Sequence, residues 1–137
     1  IREIGYKSFS GCSGLREISI PSTVKTVGIG AFENCTELKD ISLPTTLTEI
    51  NYYTFSGCTS LTTLTLHSKL TAINNYAFAG CKSLTEIHCK NSNPPLIGEN
   101  TFRDVNRIGC KIFVPSKRAK KSYSTALYWN EFTIYIE

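Results

Sequence analysis

One pattern of apolar positions returns along the chain every 23 residues. Each unit carries a phenylalanine, a cysteine three residues later and a leucine three residues after that, so that Cys12, Cys35, Cys58 and Cys81 stand in phase. Two more apolar positions follow, with one polar residue between them. An unbroken period of this length predicts a solenoid of stacked coils, because no single coil is large enough to bury its own apolar side chains.

The last part of each unit predicts a short β-strand. Apolar and polar residues alternate there, so Ile18 and Ile20 face the interior and their polar neighbours face solvent. Pro21 ends its strand, because proline has no N–H to donate to a parallel ladder. Residues 24–28 and 47–50 fit either a second short extended piece or a turn. The stretch A-F-x-x-C-x-x-L, with apolar residues three apart, predicts a short 3₁₀ or single helical turn on the opposite side of each coil.

The repeats are predicted to occupy residues 1–115 as about five coils, the first of them partial. Residues 116–137 are predicted to form a C-terminal cap of the same domain. In that cap Ser116 is suited to begin a helix, aromatic residues follow, and residues 133–136 fit a terminal strand.

The other end of the chain opens in mid-repeat and has no methionine. We therefore expect the chain to be a C-terminal piece of a longer protein. Residues 1–9 show no polar cap and are expected to form an exposed edge unless earlier repeats cover them.

Composition narrows the function classes. An apolar content of 41% with 19% charged residues is typical of a folded domain, and no apolar run reaches the roughly 18 residues of a membrane span. The net charge of +4 comes from one basic cluster, because the rest of the chain has 10 basic and 11 acidic residues. A nucleic-acid-binding solenoid would carry its positive charge along the repeats, so we expect no nucleic-acid partner. The cluster fits a solvated helix face or, alternatively, a patch for an anionic partner; its members are Lys111, Lys117, Arg118, Lys120 and Lys121.

The cysteines and histidines do not indicate a reactive centre. The four in-phase cysteines are predicted to be free thiols in a buried ladder, whereas a disulfide between Cys89 and Cys110 is conceivable. Neither C-x-x-C nor H-x3-H spacing occurs, so no metal or cofactor is expected. His67 stands where other units have proline, and His88 is an outward strand position beside Glu86. We therefore predict no catalytic residue and no enzyme.

The outward strand positions are the candidate binding residues, because they tile one face across successive coils and a solenoid usually binds through such a face. They are Glu17, Ser19, Asp40, Ser42, Thr63, Thr65, Glu86, His88, Lys111 and Phe113. Large side chains dominate most protein interfaces, which singles out Phe113 and three tyrosines, Tyr52, Tyr53 and Tyr76. The alternative for the tyrosines is packing between neighbouring coils.

The repeat resembles the BspA-like class of leucine-rich repeats, whose unit reads I-P-x-x-V-x-x-I-G-x-x-A-F-x-x-C-x-x-L-x-x-I-x-I. Residues 20–41 fill almost every slot of that unit, and the segment from Ile112 to Phe132 resembles the ending of such proteins from anaerobic gut and oral bacteria. The resemblance implies a leucine-rich-repeat solenoid: short parallel β-strands stacked in right-handed coils, turns or short 3₁₀ or helical turns on the other side, and a C-terminal helix-plus-strand cap.

The resemblance also implies a function and a location. The expected protein is secreted or attached to the bacterial cell surface, and it acts as a non-catalytic binding or adhesion module. Its expected partner is a host or bacterial surface protein or glycan, with no direct membrane insertion by this fragment. The alternative is a structural spacer that has no ligand of its own.

Overall fold

The computed structural model describes residues 2–137 as a stack of parallel strands closed at one end by a single helix. Strands of three or four residues alternate along the chain with strands of two residues, until the cap is reached. The strands are β1 (Glu3–Ile4), β2 (Glu17–Ser19), β3 (Thr26–Val27), β4 (Asp40–Ser42), β5 (Glu49–Ile50), β6 (Thr63–Leu66), β7 (Ala72–Ile73), β8 (Glu86–Cys89), β9 (Leu96–Ile97), β10 (Lys111–Val114) and β11 (Thr133–Ile136). The helix α1 spans Lys117–Thr125, and a 3₁₀ turn spans Trp129–Glu131.

The strand register confirms that residues one repeat apart lie on neighbouring rungs. Ile18 pairs with Ile41, Leu64 pairs with Ile87, and Ile87 pairs with Ile112, all in parallel ladders. The segments that the sequence left open between strand and turn, residues 24–28 and 47–50, contain the two-residue strands β3 and β5. Each coil therefore has two extended sides joined by a turn.

Both ladders are interrupted between the same two coils. In the described part of the chain β2–β4 and β6–β8–β10–β11 are separate sheets, and β1–β3 and β5–β7–β9 are separate on the other side. On the turn side the same two coils remain joined, because the amides of Gly30, Phe32 and Asn34 donate to carbonyls one coil further on at 2.7–3.0 Å. The stack is continuous at the turns and open between β4 and β6.

A column of phenylalanine rings runs through the coils beneath the turns. Neighbouring rings lie 5.3–5.6 Å apart between centroids and within 13° of parallel. The column consists of Phe9, Phe32, Phe55, Phe78 and Phe102. Burial of these large rings against each other and against the leucine positions is the main apolar contribution to the core.

The turn side contains turns rather than helices. Amides donate to carbonyls three residues back at intervals, as from Ala31 to Gly28, Glu33 to Gly30 and Cys35 to Phe32. The second residue after each phenylalanine has a positive φ, which breaks any helix after one turn. These residues are Gly11, Asn34, Gly57, Gly80 and Asp104.

The in-phase cysteines form the predicted ladder of free thiols. The thiols of Cys35, Cys58 and Cys81 each donate to the phenylalanine carbonyl of the preceding coil, at 3.2–3.5 Å. Cys12 is half-buried and also free. The conceivable disulfide is not formed, since Cys89 and Cys110 are both buried free thiols.

The cap covers the last coil through aromatic contacts and hydrogen bonds. Ser116 begins the helix as predicted, accepting a hydrogen bond from the amide of Ala119 at 3.1 Å. Trp129 lies against Phe102 with a centroid separation of 5.8 Å and ends the ring column, and its indole N–H donates to the Pro95 carbonyl at 2.8 Å. The hydroxyl of Tyr123 donates to the Asn91 carbonyl at 2.7 Å, so the irregular segment before β9 is the docking site of the cap.

The first coil has no comparable cover among residues 2–9. Phe9 is 43% exposed, whereas Phe78 in the same column is fully buried. The predicted exposed edge therefore holds for these residues, and Ile1 lies outside the described residues.

Truncation of a ring inside the column is expected to cost far more stability than truncation at its end. Phe78→Ala should lower the free energy of unfolding by about 3–5 kcal/mol, because it leaves a cavity between two stacked rings. Phe9→Ala is the matched control and should cost less than about 2 kcal/mol, because its ring is partly in water already. Urea unfolding followed by circular dichroism measures both, and equal costs would contradict the stacked column.

The buried thiols are expected to resist alkylation in the folded protein. Burial raises the pKa of Cys81 from 9.0 to about 12, and it does the same for Cys89 and Cys110. At pH 8 iodoacetamide should therefore modify Cys12 alone, and the other five cysteines should react only after denaturation. Peptide mass spectrometry gives the site of labelling, and modification of Cys81 as fast as of Cys12 would contradict the buried ladder.

Candidate functional site

The outward side chains of β2, β4, β6, β8 and β10 form a surface that we call the strand face. All ten residues predicted from the alternation lie on it, exposed or half-exposed. Pairing register aligns them in two parallel rows within β2–β4 and within β6–β8–β10, and the 23-residue repeat continues each row from β4 to β6. One row is Glu17, Asp40, Thr63, Glu86 and Lys111, and the other is Ser19, Ser42, Thr65, His88 and Phe113.

An open cleft of about 460 Å³ lies on the strand face where the ladder between β4 and β6 is interrupted. Its rim carries the carboxylates of Glu17 and Asp40 and the hydroxyls of serine and threonine residues from β2, β4 and β6. Half-buried Ile18 and Ile41 contribute apolar surface to it. The cleft thus offers hydrogen-bond acceptors, hydroxyls that both donate and accept, and an apolar surface larger than its polar one.

The opposite end of the strand face is aromatic. The ring of His88 stacks on Phe113 at 4.7 Å and 10°, and Phe113 lies 5.7 Å from Tyr135. The ammonium group of Lys111 lies 5.7 Å from the Tyr135 ring centroid. Tyr135 belongs to the strand face by register with Phe113, although the sequence assigned its strand only to the cap. The alternation of residues 133–136 was the one signal that could have placed it there.

His88 lies between two carboxylates at this end. Its Nε2 is 3.0 Å from Glu86 Oε1, and its Nδ1 is 2.5 Å from Glu137 Oε1. Only the imidazolium form can donate to both at once. Burial raises the pKa of Glu137, but hydrogen bonds and charge from His88 and Lys90 outweigh it and hold that pKa below its usual range.

No three His, Cys, Asp or Glu side chains among residues 2–137 converge as a metal site would require. His67 has a structural role: its Nδ1 accepts from the Lys69 amide at 3.1 Å, and its Nε2 donates to the Leu47 carbonyl at 2.7 Å. The four basic residues of the predicted cluster that lie in α1 are all exposed. In residues 2–137 no helix has the length and apolar character needed to cross a bilayer.

The tyrosines singled out in the sequence lie on the turn side, away from the strand face. Tyr53 and Tyr76 stack on each other at 4.9 Å and 1° from parallel, so packing between coils holds for this pair. Tyr52 and Tyr53 nevertheless remain 45% and 38% exposed. The Tyr53 ring is therefore stacked on Tyr76 and partly exposed to solvent at the same time.

A known family offers a comparison for the repeat spacing, the parallel ladders and the buried Phe-Cys-Leu positions. The profile of the BspA type leucine rich repeat region matches residues 2–128 in six copies. The chain belongs to the BspA-type leucine-rich repeat family. Repeat families of this kind are generally non-catalytic.

Several solved structures of bacterial proteins share the fold. A leucine rich cell surface protein from Faecalibacterium prausnitzii A2-165 is 28% identical with a TM-score of 0.76, and the match covers 97% of this chain and 32% of that one. A leucine-rich repeat protein from T. pallidum is 31% identical with a TM-score of 0.72, over 82% of this chain and 52% of that one. The pneumococcal vaccine antigen PcpA is 23% identical with a TM-score of 0.66, and the match covers 99% of this chain and 39% of the PcpA chain. This likeness supports the shared fold and nothing further.

The BspA-type chain therefore spans about a third to a half of the length of these solved relatives. Among curated proteins, none matches it significantly.

Loss of the Glu137 carboxylate should change how stability depends on pH. Because its folded pKa is lowered, Glu137 stabilises the fold above its ordinary pKa of 4.5, and this contribution is lost as the pH falls through the folded value. Glu137→Gln should therefore cost up to about 1 kcal/mol at pH 6, the usual ceiling for an exposed pair, and little at pH 3.

Urea unfolding at pH 3, 4.5 and 6 measures the difference in unfolding free energy between the unaltered chain and Glu137→Gln. Exposed Glu99→Gln is the matched control. A Glu137→Gln cost that is the same at all three pH values would contradict the ion-pair assignment.

Proposed function

We propose that this BspA-type chain is a non-catalytic binding module of a bacterial cell-surface protein and recognises a protein or glycan partner through the strand face. Membership of the repeat family supports a binding role, and the likeness to a leucine rich cell surface protein supports the location. Further support for the binding role comes from this chain's own structure, in the arrangement of the strand face.

The observation that carries the proposal is the cleft of about 460 Å³ that extends over β2, β4 and β6. A solvated strand surface needs no such opening, and here the opening coincides with the interruption of the backbone ladder. Its volume lies in the range of about 300–1,000 Å³ that ligand sites commonly have. The serine and threonine hydroxyls around it give hydrogen bonding without bulky side chains that would block a partner.

The aromatic end of the strand face complements the cleft. Phe113 and Tyr135 are the kind of large side chain that usually carries interface energy, whereas the outward side chains at the cleft end are mainly polar. A partner that lies along the rows would contact carboxylates and hydroxyls at β2–β6 and aromatic rings at β10–β11. Steric fit and hydrogen bonding along one face, rather than chemistry, are the proposed mode of action.

The test is binding of the purified chain to immobilised matrix proteins, mucins and a glycan array. Replacement of Glu17, Asp40, Thr63 and Glu86 by alanine should reduce a specific signal at least about tenfold, since it removes polar groups from four coils at once. The matched control replaces Glu37, Thr59, Glu99 and Glu131 by alanine, which changes the net charge equally but leaves the strand face intact.

Equal loss in both variants would contradict the strand face as the binding surface. The absence of any specific signal with the unaltered chain would favour a spacer role for these repeats.

A further inference from the structure

A second column of equivalent residues runs along the turn side, two positions before each phenylalanine. Four of its members have the same left-handed backbone, with φ values of 50°, 65°, 59° and 65° for Lys7, Gly30, Tyr53 and Tyr76. Residues with the same backbone conformation on successive rungs project in the same direction. The side chains of this column therefore lie one above another, as the stacked rings of Tyr53 and Tyr76 show.

Gly30 leaves one rung of this column without a side chain. Tyr53 uses one ring face on Tyr76, so its other face looks toward the rung of Gly30. The side chains of Lys7 and Glu33 lie against Gly30, within 3.1 and 3.3 Å of the position that a Cβ would take there. Beside them is a hollow of about 210 Å³, lined by Tyr6, Lys7, Ile29, Glu33 and Tyr53. We call it the Gly30 hollow. It is smaller than the roughly 300–1,000 Å³ of most small-molecule sites, which suits a single ring.

The two walls of the Gly30 hollow differ in chemistry. One wall is the aromatic face of Tyr53. The other is an ion pair, in which Lys7 Nζ lies 3.8 Å from Glu33 Oε1 and 5.5 Å from the Tyr6 ring centroid. Half-buried Glu33 can accept hydrogen bonds and Lys7 can donate them.

We propose that the Gly30 hollow binds one hexopyranose ring of a glycan, stacked on the free face of Tyr53. A pyranose has an apolar face of C–H groups that covers an aromatic ring, and its rim hydroxyls both donate to a carboxylate and accept from an ammonium group. The bound ring lies between Tyr53 and the Lys7–Glu33 pair and extends the stack of Tyr76 and Tyr53.

An aromatic side chain of a protein partner fits the opposite wall less well. It would cover the Lys7–Glu33 pair with a ring edge that offers at most one N–H or O–H donor, and none from phenylalanine, whereas a pyranose offers several hydroxyls. Covering a charge without supplying hydrogen bonds is unfavourable, so the charged wall selects for a hydroxyl-rich ring.

The backbone at Tyr53 supports a functional reason for the ring. A bulky residue at φ 59° is strained, and glycine meets the same requirement without strain at Gly30. Strained residues persist where the surrounding structure or function requires them. Replacement of Tyr53 by glycine therefore relieves strain while it removes the stacking wall.

The experiment uses four methyl hexopyranosides (gluco, galacto, manno and N-acetylgluco) as probes, with saturation-transfer NMR and titration to about 50 mM. We expect at least one probe to bind with a dissociation constant on the order of 1–10 mM, as suits a single-ring contact. Tyr53→Gly should weaken that binding at least about tenfold without loss of folding, and exposed Tyr52→Ala should change it less than about twofold. Gly30→Tyr introduces the residue that the next two coils carry, and it should also abolish binding, because its Cβ would lie 3.1 Å from Lys7 Cγ and 3.3 Å from Glu33 Oε1 and would displace both side chains.

Three results would overturn the proposal: no hexopyranoside signal, binding unchanged in Tyr53→Gly, or binding of N-acetyl-tyrosine amide but of none of the sugars. The strand-face alanine variant should bind the probes as the unaltered chain does. Loss of sugar binding in the strand-face variant alone would also overturn the assignment to the Gly30 hollow. The strand-face proposal is judged by its own test.

Discussion

Contact between equivalent residues of successive coils is the interaction on which this structure depends. No coil has an interior of its own, so every buried phenylalanine, cysteine and leucine is covered by its counterparts one repeat away. An inserted residue must therefore be accommodated outside the columns. The interval from Phe78 to Phe102 is one residue longer, yet Phe102 still stacks on Phe78 at 5.6 Å, because the extra residue lies in the irregular segment before β9. That same segment holds the Pro95 carbonyl to which Trp129 of the cap donates.

The periodic pattern was sufficient to predict the parallel strands, the cysteine ladder and the helical cap. It was not sufficient to predict the interruption between β4 and β6. Residues 40–43 and 63–66 alternate in the same way as residues 86–89, which pair normally. Side-chain alternation determines which residues point inward, but it does not report whether the backbones of adjacent coils are close enough to hydrogen-bond.

The candidate sites show the same limit. Alternation placed the ten residues of the strand face correctly, because each is fixed by its own strand. Tyr135 and Glu137 reach that face only because the chain folds back after α1 and adds β11 beside β10, a tertiary contact without a local signature. The Gly30 hollow likewise depends on the side chains of neighbouring coils, and the sequence of one unit does not specify the unit beside it.

The close approach between two turns has a consequence for how such a protein can change over generations. Asn34 stands where three other coils have glycine, and its side chain fills the space in which a Cβ at Gly57 would lie. A duplication that placed a second copy of the Asn34 unit directly after the first would set asparagine against asparagine in that space. The Asn34 unit is thus not freely exchangeable with the others, because the unit that follows it needs glycine at the position of Gly57.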